Sequence, residues 1–136
     1  MTDCGESNFV IRPITTANEP FLWEMIYQAI YVPDGAEPPP REIIKKPEIA
    51  RYVSGWGRDG DLGFLAVEAT TARPVAAAWL RLMSAAAPGY GYIDDHTPEL
   101  SVAVLPQYRG CGVGTRLLTC LLEESDSIYK AISLSV

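Results

Sequence analysis

Residues 98–118 read PELSVAVLPQYRGCGVGTRLL, and this stretch holds the clearest structural pattern in the chain. Its first part, residues 99–105, is mostly apolar and is followed by Pro106, which predicts a buried strand that ends there. A turn with three glycines follows between residues 110 and 114. From Val113 onward, apolar residues recur at spacings of three and four, which predicts one face of a helix. The stretch therefore encodes a strand, a glycine-rich turn and a helix, in that order.

The glycine-rich turn is the candidate binding site of this sequence. The first N–H groups of a helix have no partner within the helix, and the helix dipole is positive at that end, so anions bind there readily. Gly110, Gly112 and Gly114 have no side chains, so a phosphate group can approach the backbone closely. Arg109 adds a fixed positive charge and a forked set of donors. Together these residues predict a cradle for a pyrophosphate group.

Two other pyrophosphate-binding patterns fit the turn poorly. A P-loop has a lysine followed by serine or threonine after its last glycine, but residues 113–115 contain no lysine. A dinucleotide-binding turn has the pattern Gly-x-Gly-x-x-Gly, whereas residues 110–114 read Gly-x-Gly-x-Gly. The dinucleotide fold also begins with a run of parallel strands, which this sequence does not predict. Both alternatives are therefore disfavoured.

The rest of the chain predicts strands and helices in the mixture typical of an α+β domain. A capping-box spacing between Thr16 and Glu19 precedes Pro20 at a helix start, and Pro47 divides a second helical stretch into two short pieces. Because residues 99–136 form a β-α-β unit, its two strands should be parallel. The predicted strands cover residues 9–14, 62–69, 74–83, 99–105 and 131–136, and the predicted helices cover 20–30, 41–54 and the stretch from 113 to 122.

Length and composition indicate one soluble globular domain spanning residues 1–136. Apolar residues make up 48% and charged residues 21%, which is ordinary for a globular protein and excludes a disordered or coiled-coil chain. No apolar run reaches the roughly 20 residues that cross a bilayer, so no membrane partner is expected. The net charge of −6 disfavours nucleic acid as a partner, since phosphate binders carry a basic face, and it is compatible with a cationic acceptor such as an amine.

The cysteines and the N-terminus bear on location and metal content. Cys4, Cys111 and Cys120 are odd in number and include no CxxC pair, which predicts neither a disulfide framework nor a metal site. Residues 1–8 contain no basic region followed by an apolar one, so a secretory signal is not expected. We therefore expect a cytoplasmic protein with free thiols and no bound metal.

Residues 98–118 resemble the fourth strand and third helix of the GNAT superfamily, the acyl-CoA-dependent N-acyltransferases. Gln107, Gly110 and Gly112 match that family's signature Gln/Arg-x-x-Gly-x-Gly/Ala, and the predicted element order from residue 9 to residue 136 matches the family order from its first strand to its fifth. The resemblance implies a mixed, mostly antiparallel twisted sheet flanked by helices. It also implies that the protein transfers an acetyl group from acetyl-CoA, or another acyl group from acyl-CoA, to a primary amine without a metal.

The resemblance assigns roles in cosubstrate binding as well. The pantetheine arm would pair, as an added strand, with the backbone of Val102, Ala103 and Val104. The amine would attack the thioester carbonyl directly, and a backbone N–H near Val104 would stabilise the tetrahedral intermediate. Pyrophosphate contacts are implied for the motif residue Gln107 and for the backbone amides of Arg109, Gly110, Cys111, Gly112, Val113, Gly114 and Thr115.

A general base must remove a proton from the ammonium form of the acceptor. Glu99, at the start of the strand, is the first candidate, because members of the family often place a carboxylate in that region. A solvated carboxylate at the end of a strand is the competing interpretation of Glu99. Asp94, Asp95 and His96 in the preceding loop are weaker candidates.

Three further side chains are candidates on weaker grounds. Arg81 and Trp79 on the third strand could line the acceptor site, although Trp79 is more typical of core packing. Cys111 lies in the glycine-rich turn, but it has no evident partner base, and the mechanism implied by the resemblance needs no acyl-enzyme. We therefore expect Cys111 to be chemically inert.

The chain departs from the family pattern after its last predicted strand. Members of the family continue with a further helix and two strands, and that region commonly supplies a tyrosine that protonates the leaving thiolate. This sequence stops at Val136, so no residue is assigned that role. Either the chain is a truncated form, or a second copy covers the open edge in a homodimer. A non-catalytic acyl-CoA-binding module and an interaction domain that pairs through its last strand stay open as alternatives.

Overall fold

Four antiparallel strands form a sheet in the computed structural model, which describes residues 8–30 and 32–134. The order of the strands across the sheet is their order along the chain, so the first and last strands lie at opposite edges. The strands are β1 Phe9–Pro13, β2 Leu62–Glu68, β3 Pro74–Arg81 and β4 Glu99–Val104. The predicted α+β class is confirmed, and in the structure β2 and β3 form a hairpin while β1 lies at an edge of the sheet.

Helices cover both faces of this sheet. Their bounds are α1 Glu19–Gln28, α2 Pro47–Ala50 and α3 Val113–Ser125, with short 3₁₀ turns at Thr16–Asn18, Arg41–Lys45 and Pro106–Tyr108. Pro47 separates a 3₁₀ turn from α2, as predicted. The capping box lies one residue earlier than predicted, because Thr15 rather than Thr16 has the extended backbone that a cap requires. Thr15 N donates to Asn18 Oδ1 at 2.8 Å, and the pair caps the 3₁₀ turn before α1.

The inner strand β3 is apolar from Pro74 to Leu80 because both faces of the sheet are buried. Alternate residues of a strand point to opposite faces, so Trp79 packs toward α1 while Ala78 and Leu80 pack beneath α3. On the α1 side, Leu22 and Met25 are fully buried. The predicted apolar face of α3 is confirmed by the burial of Val113, Leu117 and Leu121.

The outer side of β4 is the part of the fold that positions the candidate site. Residues 132–134 run beside the start of β4, with a parallel bridge between Glu99 and Ser133. Leu100 N donates to Ser133 O at 2.8 Å, and Ser133 N donates to Pro98 O at 2.9 Å. The parallel direction is therefore as predicted. The predicted last strand is reduced to this bridge in the described residues, and its final two residues lie outside them.

Two hydrogen bonds establish which backbone groups of β4 face outward. Leu105 N donates to a carbonyl of β3 at 2.9 Å, whereas Leu100 N donates to the outer segment at 2.8 Å. Because successive residues of a strand direct their N–H groups to opposite sides, Val102 and Val104 direct theirs to the outer edge. Ala103 directs its N–H and carbonyl to β3, where it pairs in register.

Within residues 8–30 and 32–134, none of the helices is long and apolar enough to cross a membrane. The same residues contain no cluster of three His, Cys, Asp or Glu side chains that could hold a metal ion. Cys120 is a free thiol, but Cys111 is disulfide-bonded, so the prediction of free thiols is wrong at that position. A CxxC pattern detects only cysteines that are close along the chain, whereas a disulfide depends on proximity in space. Cys4 lies outside the described residues.

Candidate active site

Gly112 caps the N-terminus of α3 in a backbone conformation that favours glycine. Its φ is +78°, and Gly110 two residues earlier has a φ of +81°, in the left-handed region that side chains rarely adopt. No atom lies within 4 Å of the position that a Cβ would take at either residue. Both glycines therefore border open space and leave the backbone accessible to a ligand.

A cleft of about 250 Å³ opens over this turn and is lined by Val104 and residues 108–115. We call it the cradle. The N–H groups of residues 113–115 are the first of α3, so they have no partner within the helix and form the positive end of its dipole. The structure thus brings together the predicted pyrophosphate-binding residues with one exception. Gln107 lies in a 3₁₀ turn and lines a different depression beside α1.

Arg109 is anchored at the rim of the cradle. Its Nε donates to the carbonyl of Val104 at 3.1 Å, and its Nη2 lies 3.4 Å from both the backbone carbonyl and Oε1 of Gln28. These contacts tie the turn to the ends of β4 and α1. The side chain is exposed and also lines a second cleft, of about 380 Å³, at the end of α1. Its guanidinium therefore places a positive charge between the two clefts.

Glu99 lies at the opposite end of β4 and is only 2% exposed, which excludes a solvated strand-end carboxylate. Its Oε2 accepts a hydrogen bond from the Tyr52 hydroxyl, and its Oε1 accepts one from Gly91 N at 3.1 Å. The Tyr52 hydroxyl oxygen accepts a further bond from Tyr90 N at 2.7 Å. Because that oxygen accepts from Tyr90, the hydroxyl hydrogen of Tyr52 is directed at Glu99.

Tyr52 is held in its protonated form by this environment. Burial, followed by the hydrogen bond to Glu99, raises the pKa of Tyr52 well above its ordinary value. Its ring is stacked with that of Tyr90, with centroids 6.3 Å apart and 13° between the planes. Tyr90 is 68% exposed, so it extends an aromatic wall from the buried Tyr52 toward solvent.

The loop of residues 89–91 lies directly against the Tyr52–Glu99 pair. A Cβ at Gly89 would lie 2.2 Å from Glu99 Oε1 and 2.7 Å from the Tyr52 hydroxyl. Real Cβ atoms do not approach other atoms so closely, so any side chain at this position would displace the pair. Glycine at residue 89 therefore lets the loop come near enough to donate its N–H groups to both.

A buried ion pair lies beneath the turn that follows α2. Arg81 donates from Nε and Nη2 to the two carboxylate oxygens of Asp61, at 3.0 and 2.8 Å. Its Nη1 donates to the carbonyls of Arg51 and Ser54 at 3.2 and 2.6 Å. The prediction that Arg81 lines the acceptor site is therefore wrong, because its charge is buried against Asp61 in the core. It instead supports the turn that carries Tyr52.

A cleft of about 470 Å³ lies between α1, α2 and the outer edge of β4. We call it the acceptor cleft. Glu99 is the one formally charged residue among the described residues that line it. Most of the wall is aliphatic, and its isoleucines are Ile26, Ile30, Ile43 and Ile49.

The two residues predicted to act in catalysis, Glu99 and Val104, border different clefts. Glu99 lines the acceptor cleft together with Val102, whereas Val104 lines the cradle. Both valines direct their N–H groups to the outer edge, but only Val102 does so beside Glu99. The structure therefore places Glu99 and the outward N–H of Val102 in the same cleft.

The weaker candidates in the loop before β4 are exposed and lie outside the residues that line the acceptor cleft. His96 N donates to Asp94 Oδ1 at 2.8 Å, and this hydrogen bond lowers the pKa of Asp94. Tyr92 donates its hydroxyl hydrogen to Asp95. These side chains thus form local turn contacts, and the structure brings none of Asp94, Asp95 and His96 to the cleft wall.

Tyr52 is the site residue that the sequence analysis missed. Trp79, buried in the core as expected, donates from Nε1 to the Tyr52 carbonyl at 2.9 Å and fixes the backbone there. The helical spacing of Ile49, Tyr52 and Val53 indicates that this tyrosine faces inward. No sequence pattern connects it with Glu99, which lies 47 residues further along the chain.

The sequence and the fold both match known proteins. The model of the Acetyltransferase (GNAT) family matches residues 23–136 of the chain. No curated protein sequence matches the chain significantly. The family match includes β4, the cradle and Tyr52, and every described residue that lines the acceptor cleft lies within it.

Solved structures with this fold share little sequence with the chain. A GCN5-related N-acetyltransferase from Ralstonia eutropha JMP134 has 15% identity and a TM-score of 0.68, over 95% of this chain and 84% of that one. A protein from Acinetobacter baylyi ADP1, assigned as an acetyltransferase, has 18% identity and a TM-score of 0.61, over 93% of this chain and 66% of that one. A phosphinothricin acetyltransferase from Sinorhizobium meliloti, in complex with AcCoA, has 17% identity and a TM-score of 0.57, over 88% of this chain and 60% of that one. These similarities show the fold.

Proposed function

Because the chain belongs to the GNAT acetyltransferase family, we propose that it transfers an acetyl group from acetyl-CoA to a primary amine. The placement of two clefts along one strand supports this proposal. The cradle lies at the C-terminal end of β4, and the acceptor cleft with Glu99 lies at its start. At about 3.3 Å per residue, the ends of β4 are about 17 Å apart, a distance that an extended pantetheine arm can span.

Acetyl-CoA is proposed to lie along the outer edge of β4. Its pyrophosphate binds the N–H groups of residues 113–115 and the guanidinium of Arg109. The pantetheine arm pairs with the outward carbonyl of Val102 and the outward N–H of Val104, as an added strand pairs with a sheet edge. Ala103 takes no part through its backbone, since its N–H and carbonyl face β3. The AcCoA complex of the Sinorhizobium meliloti relative supports the choice of cosubstrate.

Glu99 is the proposed general base. The acceptor enters as an ammonium ion, and the carboxylate takes one proton from it to give the free amine. Both carboxylate oxygens already accept one hydrogen bond each, from Tyr52 and Gly91. A carboxylate can accept about four hydrogen bonds, so Glu99 has acceptor sites left for the ammonium group at the cleft wall. Tyr52 acts as a positioning residue, because it holds Glu99 without meeting the reacting atoms itself.

The amine then attacks the thioester carbonyl carbon. A C–N bond forms, and the carbonyl oxygen becomes an oxyanion that the N–H of Val102 stabilises. Collapse of the intermediate breaks the C–S bond, and the electron pair goes to sulfur. The second proton of the nitrogen passes to the thiolate, which gives the amide and the CoA thiol. Glu99 returns its proton to solvent.

Release of the CoA thiol from acetyl-CoA, followed with a panel of primary amines, tests this proposal. We expect amine-dependent release, and we expect Glu99→Gln to lower kcat by about 100- to 10,000-fold, the usual contribution of a general base. The KM for acetyl-CoA should not change. Glu48→Gln, at an exposed carboxylate on α2, is the matched control and should keep full activity. Binding of acetyl-CoA without transfer to any amine would instead identify a non-catalytic acyl-CoA-binding module.

A further inference from the structure

We infer that the acceptor amine is carried on an apolar body, with no carboxylate, phosphate or second ammonium group near the reacting nitrogen. This inference rests on the proposed function, since it concerns the cleft in which the amine would react. It follows from what the wall of the acceptor cleft offers to each part of a substrate. Aliphatic and aromatic side chains form most of that wall, and Glu99 carries its one formal charge in the described residues.

The single carboxylate of the wall matches a single ammonium group. Glu99 is buried, so a cation beside it gains an ion pair that offsets part of the free energy it loses in hydration. A second ammonium group in the same cleft would lie among Ile26, Ile43 and Ile49 with no acid beside it. An unpaired charge in such surroundings is strongly disfavoured. The cleft therefore selects against diamines and polyamines.

An anionic group next to the amine is disfavoured for the opposite reason. A carboxylate on the carbon that bears the nitrogen would enter beside Glu99, where two like charges would be desolvated together. Arg109 lies at the other end of β4 and lines the cradle and the second cleft instead. The buried guanidinium of Arg81 is already ion-paired with Asp61. Neither arginine reaches the acceptor cleft, so α-amino acids and amino sugar phosphates are poor substrates.

Apolar substituents, by contrast, gain from the same wall. Each methylene group that leaves water for such surroundings strengthens binding by roughly threefold to fourfold. Tyr90 adds an exposed aromatic face, stacked on Tyr52, at the open side of the cleft. A flat or branched apolar body can cover that face while its ammonium group meets Glu99.

A longer acyl chain on the cosubstrate is the competing occupant of this space, because the cleft also borders Val102. The position of Glu99 favours the amine. A buried carboxylate in the wall stabilises a cation. It has no favourable interaction with an uncharged acyl chain. We therefore assign the cleft to the acceptor, and longer acyl-CoA esters become a test of that assignment.

Rates with closely matched amines test the inference. 2-Phenylethylamine, phenylalaninamide and phenylalanine have the same ring and spacing, and only phenylalanine has the carboxylate. We expect kcat/KM to be at least about tenfold higher for the first two than for phenylalanine, and higher for hexylamine than for 1,6-diaminohexane. A kcat/KM for phenylalanine that equals or exceeds that for 2-phenylethylamine would overturn the inference while leaving the acetyltransferase function intact. An equal or higher kcat/KM for 1,6-diaminohexane than for hexylamine would do the same. A gain with octanoyl-CoA, without any preference among the amines, would overturn it as well.

Tyr90→Ala gives a second test, because an exposed side chain can be removed without unfolding the protein. We expect the KM for 2-phenylethylamine to rise about fivefold and the KM for acetyl-CoA to stay the same. Ile93→Ala, at a residue that is 66% exposed in the same loop but does not line the cleft, is the matched control. An unchanged KM for 2-phenylethylamine in Tyr90→Ala would contradict the role of the aromatic wall.

Calorimetric binding of the same amines to the CoA-loaded protein separates this inference from the proposed function. If no amine is acetylated, the proposed function fails, yet the order of binding still decides the inference. We expect 2-phenylethylamine to bind and phenylalanine to bind at least about tenfold more weakly. Failure of all these amines to bind, or the reverse order, would overturn the inference.

Discussion

Tyr52 donates its hydroxyl hydrogen to Oε2 of Glu99 across 47 residues of the chain, and the pair is buried at the wall of the acceptor cleft. Tyr90 N donates to the same hydroxyl oxygen, so the direction of the Tyr52 bond is fixed. This relationship turns an acidic residue at the start of a strand into an oriented carboxylate. It also links the turn after α2, the loop before β4 and β4 itself at one point.

Replacement of Tyr52 by phenylalanine should lower kcat and leave the binding of acetyl-CoA unchanged. A hydrogen bond to a charged group contributes about 1.5–3 kcal/mol, which corresponds to a decrease of about 10- to 100-fold if Glu99 needs this partner. Steady-state kinetics of Tyr52→Phe and wild type measure the effect. A purely structural tyrosine would change stability but not kcat, and that result would contradict the positioning role.

The same variant should change the pH dependence of stability. The pKa of Tyr52 is raised in the folded protein, so the folded state keeps the phenolic proton at pH values where the unfolded chain loses it, near 10. The contribution of Tyr52 to the free energy of unfolding is therefore full below pH 10 and falls as the pH rises above it, by at most about 1.4 kcal/mol per pH unit. Tyr52→Phe should show a shallower decrease between pH 10 and 11 in urea titrations. Identical slopes would show that Tyr52 titrates normally.

Gly89→Ala should disrupt the Tyr52–Glu99 pair by steric contact from the neighbouring loop. The added methyl group would meet Glu99 Oε1 at 2.2 Å, so the loop or the carboxylate must move. We expect a loss of about 1–3 kcal/mol in the free energy of unfolding, as for other overpacked sites, and a lower kcat. Ala86→Val adds bulk at an exposed position of the same loop and should change neither quantity. A fully active Gly89→Ala would show that the close contact is not needed.

Arg81→Met should destabilise the protein by about 3–5 kcal/mol, because it leaves Asp61 as an unpaired buried charge. Arg41→Met provides the contrast, since the Arg41–Glu24 pair is partly exposed and its loss should lower the free energy of unfolding by no more than about 1 kcal/mol. Denaturant titrations of both variants measure the difference. Similar small decreases in the free energy of unfolding of Arg81→Met and Arg41→Met would mean that Arg81 does not support the turn that carries Tyr52.

Val102→Pro tests which backbone N–H acts on the thioester. The N–H of Val102 faces the outer edge, so proline removes it without breaking the ladder to β3. Loss of one oxyanion donor lowers kcat by about 100- to 1000-fold. Val104→Pro removes the outward N–H beside the cradle and should mainly raise the KM for acetyl-CoA. The reverse pattern would return the oxyanion role to Val104, as the sequence analysis first predicted.

Local sequence was enough to predict the strand, turn and helix that build the cradle. Their signals lie within about twenty consecutive residues, where apolar spacing, Pro106 and the glycines act over short range. The burial of Glu99 could not be predicted in this way, because it depends on Tyr52 and on the loop at Gly91. The same holds for Arg81, whose ion pair with Asp61 joins residues 20 positions apart and reverses its expected role.

The choice between Val102 and Val104 shows a second limit of sequence patterns. Alternation along β4 places both N–H groups on the outer edge, and a pattern cannot distinguish them. Only the tertiary arrangement of α1, α2 and β4 around one cleft brings Val102 together with Glu99. Tertiary contacts therefore determine the surroundings of Glu99 at the start of β4, whereas local sequence patterns predict the cradle at its other end.

Calorimetric titration of acetyl-CoA against wild type, Gly112→Asp and Gly55→Asp is the most direct test of the cradle. Both glycines have positive φ, +78° and +68°, and no atom within 4 Å of a Cβ, so the two substitutions carry similar backbone strain. Only Gly112 lines the cradle, where a carboxylate would repel the pyrophosphate. We expect wild type and Gly55→Asp to bind acetyl-CoA equally, and Gly112→Asp to bind at least about tenfold more weakly, a difference of about 1.4 kcal/mol. Equal binding by all three proteins, or no binding by the folded wild type, would contradict the account.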